Sequence, residues 1–224
     1  MTGLGPALPA KVQSLAGDSG FLALLLLMVS TIVLGMGLPS AVCYLLVALT
    51  VGRVLTTLET PPLAAHLFIF YFGMMSMVTP PVALAAYAGA AIAKGDVMRS
   101  AFAAFRFALV GFALPFAFVL RPELLMLTPE NTAASPPMIL AHVGTTLVAI
   151  LGLSSTMAGF AFGRLNWLMR ALLLVFSLVV FFTRWQDYQL IIHMIAVGLI
   201  IAVLVVNFRS RRSSATKPKP KNFS

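Results

Sequence analysis

The chain has 224 residues, 60% hydrophobic and 9% charged, with fifteen Lys+Arg against six Asp+Glu and a formal net charge of +9; its mean hydropathy is +1.01. A soluble domain carries about 25% charged residues, so this chain cannot clothe a water-facing globule, and the bilayer is its main solvent. The basic excess does not point to nucleic acid. Six bases fall in the last sixteen residues (Arg209, Arg211, Arg212, Lys217, Lys219, Lys221), and the rest flank apolar runs, as basic residues do at the ends of membrane spans.

Residues 1–19 contain one Lys and one Asp and lack the apolar core of a secretory signal, so they read as a connector. Residues 21–52 are uncharged but interrupted by Gly35-Met36-Gly37-Leu38-Pro39. Two glycines and a proline break a helix. Each half is then about 20 Å long by the helical rise, too short for a hydrocarbon core of about 30 Å. The pattern predicts a re-entrant helical hairpin over 20–52. Its single cysteine, Cys43, excludes an intramolecular disulfide and reads as a small packing residue.

Residues 62–93 predict a broken helix. Pro80 and Pro81 remove two backbone donors and push Thr79 out of the helical region, so carbonyls from Met75 to Val78 lose their usual partners. His66 reads as an interface residue, and Ala85, Gly89 and Ala93 form a small-residue face suited to close helix packing. A span over 100–120 follows, carrying Phe102, Phe105, Phe107, Phe112, Phe116 and Phe118 toward lipid and neighbouring helices. Three further spans lie within 138–208, and 209–224 is expected to be a disordered basic tail. Arg106 and Arg170, near the ends of their spans, can snorkel to headgroups, and Trp185 and Tyr188 read as interfacial anchors. Placing the tail in the cytoplasm puts Lys94, Arg99, Arg106, Arg164 and Arg170 inside and leaves Arg53–Glu59 and Arg121–Glu130, turns of mixed charge, and Trp185–Asp187 outside. The fold expected is all-α: a polytopic integral membrane protein with a re-entrant hairpin, a broken helix and about four further transmembrane helices.

Chemistry has few places to reside. All six acids lie between apolar stretches, His66, His142 and His193 follow no ligand spacing, and there is no nucleophile arrangement or phosphate loop. An enzyme is not expected. Proton relays normally use buried acids or His, and the spans hold no acid. What remains is backbone oxygen at broken helices, where secondary transporters bind substrate and coupling ions. Gly35, Met36, Gly37 and Pro39 at the first break, and Val78, Thr79, Pro80 and Pro81 at the second, are the candidate Na⁺ and substrate site. The proposed ligands are the backbone of Gly35, Gly37 and Val78 and the Thr79 hydroxyl, all hard, neutral oxygens. No cofactor is expected beyond Na⁺ as coupling ion. The alternative is a non-transporting membrane scaffold or assembly subunit, with both breaks serving as packing kinks.

At these breaks the sequence resembles a known family. The run Leu34-Gly35-Met36-Gly37-Leu38-Pro39-Ser40, then Pro61-Pro62-Leu63-Ala64-Ala65-His66-Leu67-Phe68, and then Phe70-Tyr71-Phe72-Gly73-Met74-Met75-Ser76-Met77-Val78-Thr79-Pro80-Pro81-Val82-Ala83-Leu84-Ala85-Ala86-Tyr87 are similar to the second half of the large permease subunit of TRAP (tripartite ATP-independent periplasmic) transporters. The likeness is to the branch in which small and large subunits are fused, and it spans about 1–125. It implies Na⁺-driven uptake of small organic acids across a bacterial inner membrane. Implied partners are a periplasmic substrate-binding protein and the remaining permease portion, namely the first repeat and the small-subunit region, with no nucleic acid. It also implies that the hairpin tip and the Thr79–Pro81 break line one Na⁺ site and one side of the substrate site. The first repeat, with its own hairpin and break, is not found in these residues. The chain therefore reads as the C-terminal portion of a longer permease, with no role assigned to 138–208.

Overall fold

The computed structural model describes residues 10–12, 14–17, 19–50, 54–55, 60–183 and 187–215, with side chains undescribed at 187–190 and 210–215. Every regular element among the described residues is helical. The chain divides into two compact units, 1–139 and 140–224.

In the first unit, α1 (Gly20–Gly35) starts at Ser19, whose hydroxyl accepts from the Leu22 amide at 3.3 Å. It ends at the glycine-rich turn, and α2 (Ser40–Thr50) returns beside it. The arms have 16 and 11 residues, about 24 and 16 Å of helix, both short of the bilayer core. Next comes α3 (Pro62–Met75), continued by a 3-10 turn (Ser76–Val78), and after the break α4 (Leu84–Ala93). The expected hairpin and broken helix are both present.

Two large helix-packing surfaces meet on α3. Its buried residues pair up as Ala64 and Ala65, Phe68 and Ile69, Phe72 and Gly73, a four-residue spacing that offers one stripe to each side. Both hairpin arms pack on it, as does α6 (Ala113–Leu120). Lipid offers helices no hydrophobic reward for meeting, so association rests on close packing and hydrogen bonds. The aromatic part is edge-to-face: Phe68 lies 5.3 Å and Phe72 5.7 Å from Phe116 between ring centroids. Thus Phe116 faces a helix, whereas Phe102 and Phe107 are exposed.

The span expected over 100–120 is two helices in the structure, α5 (Val97–Ala108) and α6, within one apolar stretch of 24 residues, Val97–Leu120. Between them the amides of Gly111, Phe112, Ala113 and Leu114 bond three residues back rather than four. Pro115 is the cause: it lacks the amide that would serve the Gly111 carbonyl, which takes Leu114 instead at 3.1 Å. Asp96 caps α5 by accepting from the Arg99 amide at 2.7 Å. Within this chain the small-residue face of α4, Ala85, Gly89 and Ala93, is exposed.

At the end of α6, in the turn expected outside the membrane, Arg121 and Glu123 are buried, 1% and 6% exposed. Burial lowers the Arg121 guanidinium to about 10 against the opposing pull of Glu123, and burial raises the Glu123 carboxyl.

The second unit holds most of α7 (Pro136–Ala158), then α8 (Trp167–Phe182) and α9 (Asp187–Ala215). Two stretches, Pro136–Ala158 and Ile191–Arg209, are long and apolar enough to cross a membrane; α8, with 16 residues, is shorter than a full span. Contrary to the expected disordered tail from 209 on, α9 continues helical to Ala215. Residues 209–215 hold three arginines and an alanine, good helix formers, among three serines of middling propensity, and contain no glycine or proline to stop the ladder. Arg170 is exposed, and its Nε donates to the Thr156 carbonyl at 3.1 Å, where the end of α7 carries partial negative charge. Trp185, Arg53 and Glu59 lie outside the described residues, as does the side chain of Tyr188.

Candidate functional site

The two breaks meet through one side chain. Ser76, 1% exposed, opens the 3-10 turn. Its hydroxyl lies 3.0 Å from the Gly35 carbonyl and 2.6 Å from the Gly73 carbonyl. A hydroxyl has one proton and two lone pairs, so it binds one carbonyl at a time and holds the end of α1 against the end of α3.

The close approach depends on absent side chains. A Cβ on Gly35 would lie 2.6 Å from Cys43 Sγ and 2.9 Å from Ser76 Oγ, and one on Gly73 would lie 2.9 Å from Cys43 Sγ. Cys43, fully buried, is thus the small packing residue expected of it, wedged between two glycines. A further tie joins the hairpin to α3: the Tyr44 hydroxyl and His66 Nδ1 are 3.0 Å apart.

Each candidate residue of the tip has a definite place. Gly35 ends α1, buried, and its carbonyl also accepts from the Leu38 amide at 3.2 Å. Met36 is half-buried, with its amide on the Val33 carbonyl at 3.4 Å. Gly37 has φ +80, a left-handed conformation that favours glycine, and nothing would meet a Cβ there within 4 Å. Pro39 is exposed and its carbonyl starts α2 by accepting from the Cys43 amide at 2.9 Å.

At the second break, Val78 ends the 3-10 turn and Thr79 turns extended, φ −96 and ψ 121. This is the conformation a residue before proline is pushed into. The Thr79 hydroxyl donates to the Met75 carbonyl at 2.7 Å, and its amide donates to the Ser76 carbonyl at 3.3 Å. With its proton committed, the hydroxyl oxygen keeps lone pairs for another donor or a cation. The amides that would serve the Met77 carbonyl three or four residues on belong to Pro80 and Pro81 and do not exist. The Pro80–Pro81 peptide is cis, and the Pro81 carbonyl accepts from the Tyr87 hydroxyl. Ala83, fully buried at φ 29, is a non-glycine residue with positive φ, held by its amide on the Thr79 carbonyl at 3.1 Å.

Gly35 and the Ser76–Thr79 segment are therefore brought together. Among the described residues, no hydrogen bond joins Gly37 or Pro39 to Thr79, Pro80 or Pro81. Of the proposed Na⁺ ligands, the Gly35 carbonyl already has protein donors, whereas the Thr79 oxygen keeps acceptor capacity. The donor set of carbonyls and a hydroxyl suits a hard cation. No group of three or more His, Cys, Asp or Glu suited to a metal ion occurs among the described residues. The sequence reading missed Ser76. Its signal was a hydroxyl inside an apolar run, three residues after Gly73 and three before Thr79, with no place to go but a carbonyl.

Comparison with known proteins gives one concordant finding. The family described as "Tripartite ATP-independent periplasmic transporter, DctM component" matches residues 1–132, more than half of the chain and the whole of the region just described. No curated protein matches, and no solved structure does.

Proposed function

The chain belongs to the DctM family, as a permease component of a TRAP transporter, and on that premise we propose that it couples Na⁺ entry to uptake of small organic acids brought by a periplasmic substrate-binding protein. The observation that carries this reading is the pair of helix breaks tied at Gly35 and Ser76. Carbonyl-rich helix ends, those of α1 and of the 3-10 turn, favour a cation. Helix starts, those of α2 at Ser40 and α4 at Leu84, favour an anion such as a carboxylate. One region therefore offers both polarities without a single charged side chain.

In this reading the Thr79 oxygen and neighbouring carbonyls bind Na⁺, which steadies the hairpin tip and completes the carboxylate side of the site. One hairpin and one break supply half of such a site. The other half would come from a first repeat. The protein is multi-pass; we assign it to a bacterial inner membrane with its C-terminus cytoplasmic.

The test is Na⁺ titration of uptake in liposomes containing the full assembly and its binding protein. Thr79→Val removes the oxygen at nearly constant shape and is expected to raise the half-saturating Na⁺ concentration about tenfold, the worth of one lost ligand near 1.4 kcal/mol. Thr79→Ser should restore it. An unchanged Na⁺ titration in Thr79→Val rejects the site. This chain by itself should give no uptake.

A further inference from the structure

The second unit, which the family match does not cover, carries a groove of its own. Between α7 and α9 lies an apolar recess of about 360 Å³, lined by Val148 and Leu151 on α7, Phe162 in the connector to α8, and Leu204, Val205 and Phe208 on α9. That volume falls within the range of about 300–1,000 Å³ typical of ligand pockets. No polar group lines it.

The wall of the groove is pinned. Asn207, 4% exposed, accepts from the Phe162 and Gly163 amides at 3.1 and 2.9 Å and donates to the Arg164 carbonyl at 3.4 Å. This buried amide serves a non-helical connector that lipid could not. It also sets Phe162 edge-on to Phe208, ring centroids 5.2 Å apart.

Charge gathers at the same end. Arg164 follows Phe162 by two residues and Arg209 follows Phe208 directly, and both are exposed. Arg170 gives its Nε to the end of α7. No acid balances them: the one acid between 140 and 224 is Asp187, at the opposite end of α9. Trp167, 75% exposed, stands at this end as an interfacial residue.

We propose that this groove holds an acyl chain of an anionic phospholipid whose phosphate is met by Arg164 and Arg209. An apolar recess in a bilayer is filled by chains or by another helix; the unbalanced arginines at its mouth select the anionic lipid, since basic pockets between membrane helices bind such headgroups.

The experiment measures association of spin-labelled phosphatidylglycerol and phosphatidylcholine with the purified full chain in bilayers. The wild-type chain is expected to prefer phosphatidylglycerol at least about fivefold, the effect of one surface base. R164Q/R209Q should bring the ratio close to one; both arginines are exposed, so the fold is kept. L204W, which fills the groove, should lower the bound fraction of both lipids. Glycerol 3-phosphate, a headgroup without chains, should not displace the lipid. Equal association of the two lipids with the wild-type chain overturns the proposal and leaves the groove to a protein helix. An unchanged ratio in R164Q/R209Q, or displacement by glycerol 3-phosphate, overturns it as well.

Discussion

The two units treat irregular backbone in opposite ways. The first interrupts its apolar stretches at 36–39, 79–83 and 109–112. The second keeps its helices continuous and confines irregular backbone to connectors, one of them served by the side chain of Asn207. Unserved peptide groups are costly in lipid, and the first unit nevertheless repeats such breaks and ties two of them together, which is why the proposed function places ion and substrate binding there. A region that avoids them is built for packing. Both rely on glycine for closeness, but at Gly35 the neighbours Cys43 and Ser76 lie at the candidate site, while at Gly152 the neighbours are Ser177 and Ile200 of the facing helices.

The largest expected effect is at Gly35. Gly35→Ala places a methyl against Cys43 Sγ and Ser76 Oγ and should cost about 2–3 kcal/mol of stability, read as thermal unfolding in detergent, together with loss of uptake by the full assembly. Adding Cys43→Ala should restore part of the stability.

Gly152→Ala is the matched change in the second unit. Its methyl would lie 2.4 Å from Ser177 Oγ. A hydroxyl can rotate away, so about 1–2 kcal/mol is expected, relieved by Ser177→Ala in a double-mutant cycle. Uptake should survive. If Gly152→Ala abolished uptake while leaving stability intact, the division of labour between the units would be wrong.

Ser76→Ala sharpens the same contrast. It removes a hydroxyl bound to carbonyls and should cost about 1 kcal/mol, yet reduce uptake more than any buried hydroxyl removed from the second unit, such as Thr146→Ala.

The smallest effect concerns pH. Burial raises the Glu123 carboxyl above its ordinary value, against the opposing pulls of its own backbone amide and Arg121. Between the ordinary and the raised value, the folded chain holds a proton that the unfolded chain has released, so stability falls as pH rises through that window. Glu123→Gln should flatten that slope in unfolding measured from pH 4 to 7, roughly the range above an ordinary carboxylate.

Much of this was legible in residue order. Charge scarcity specified the solvent. Gly35, Gly37 and Pro39, and the adjacent Pro80 and Pro81, specified where helices stop, because those residues lack a side chain or an amide whatever surrounds them. Cys43 was legible as packing for the same local reason. Pro115 also acts locally, but it lies within a stretch whose hydropathy is continuous, so hydropathy alone does not mark the break it makes three to four residues upstream. The tertiary structure alone decided which oxygens meet. That Ser76 bridges to Gly35, forty-one residues away, that Arg121 and Glu123 are buried rather than exposed, and that Asn207 pins a connector more than forty residues back all depend on helices approaching one another. Residue order sets local backbone conformation through sterics and missing donors. Partners across helices follow only from how glycine-lined faces close.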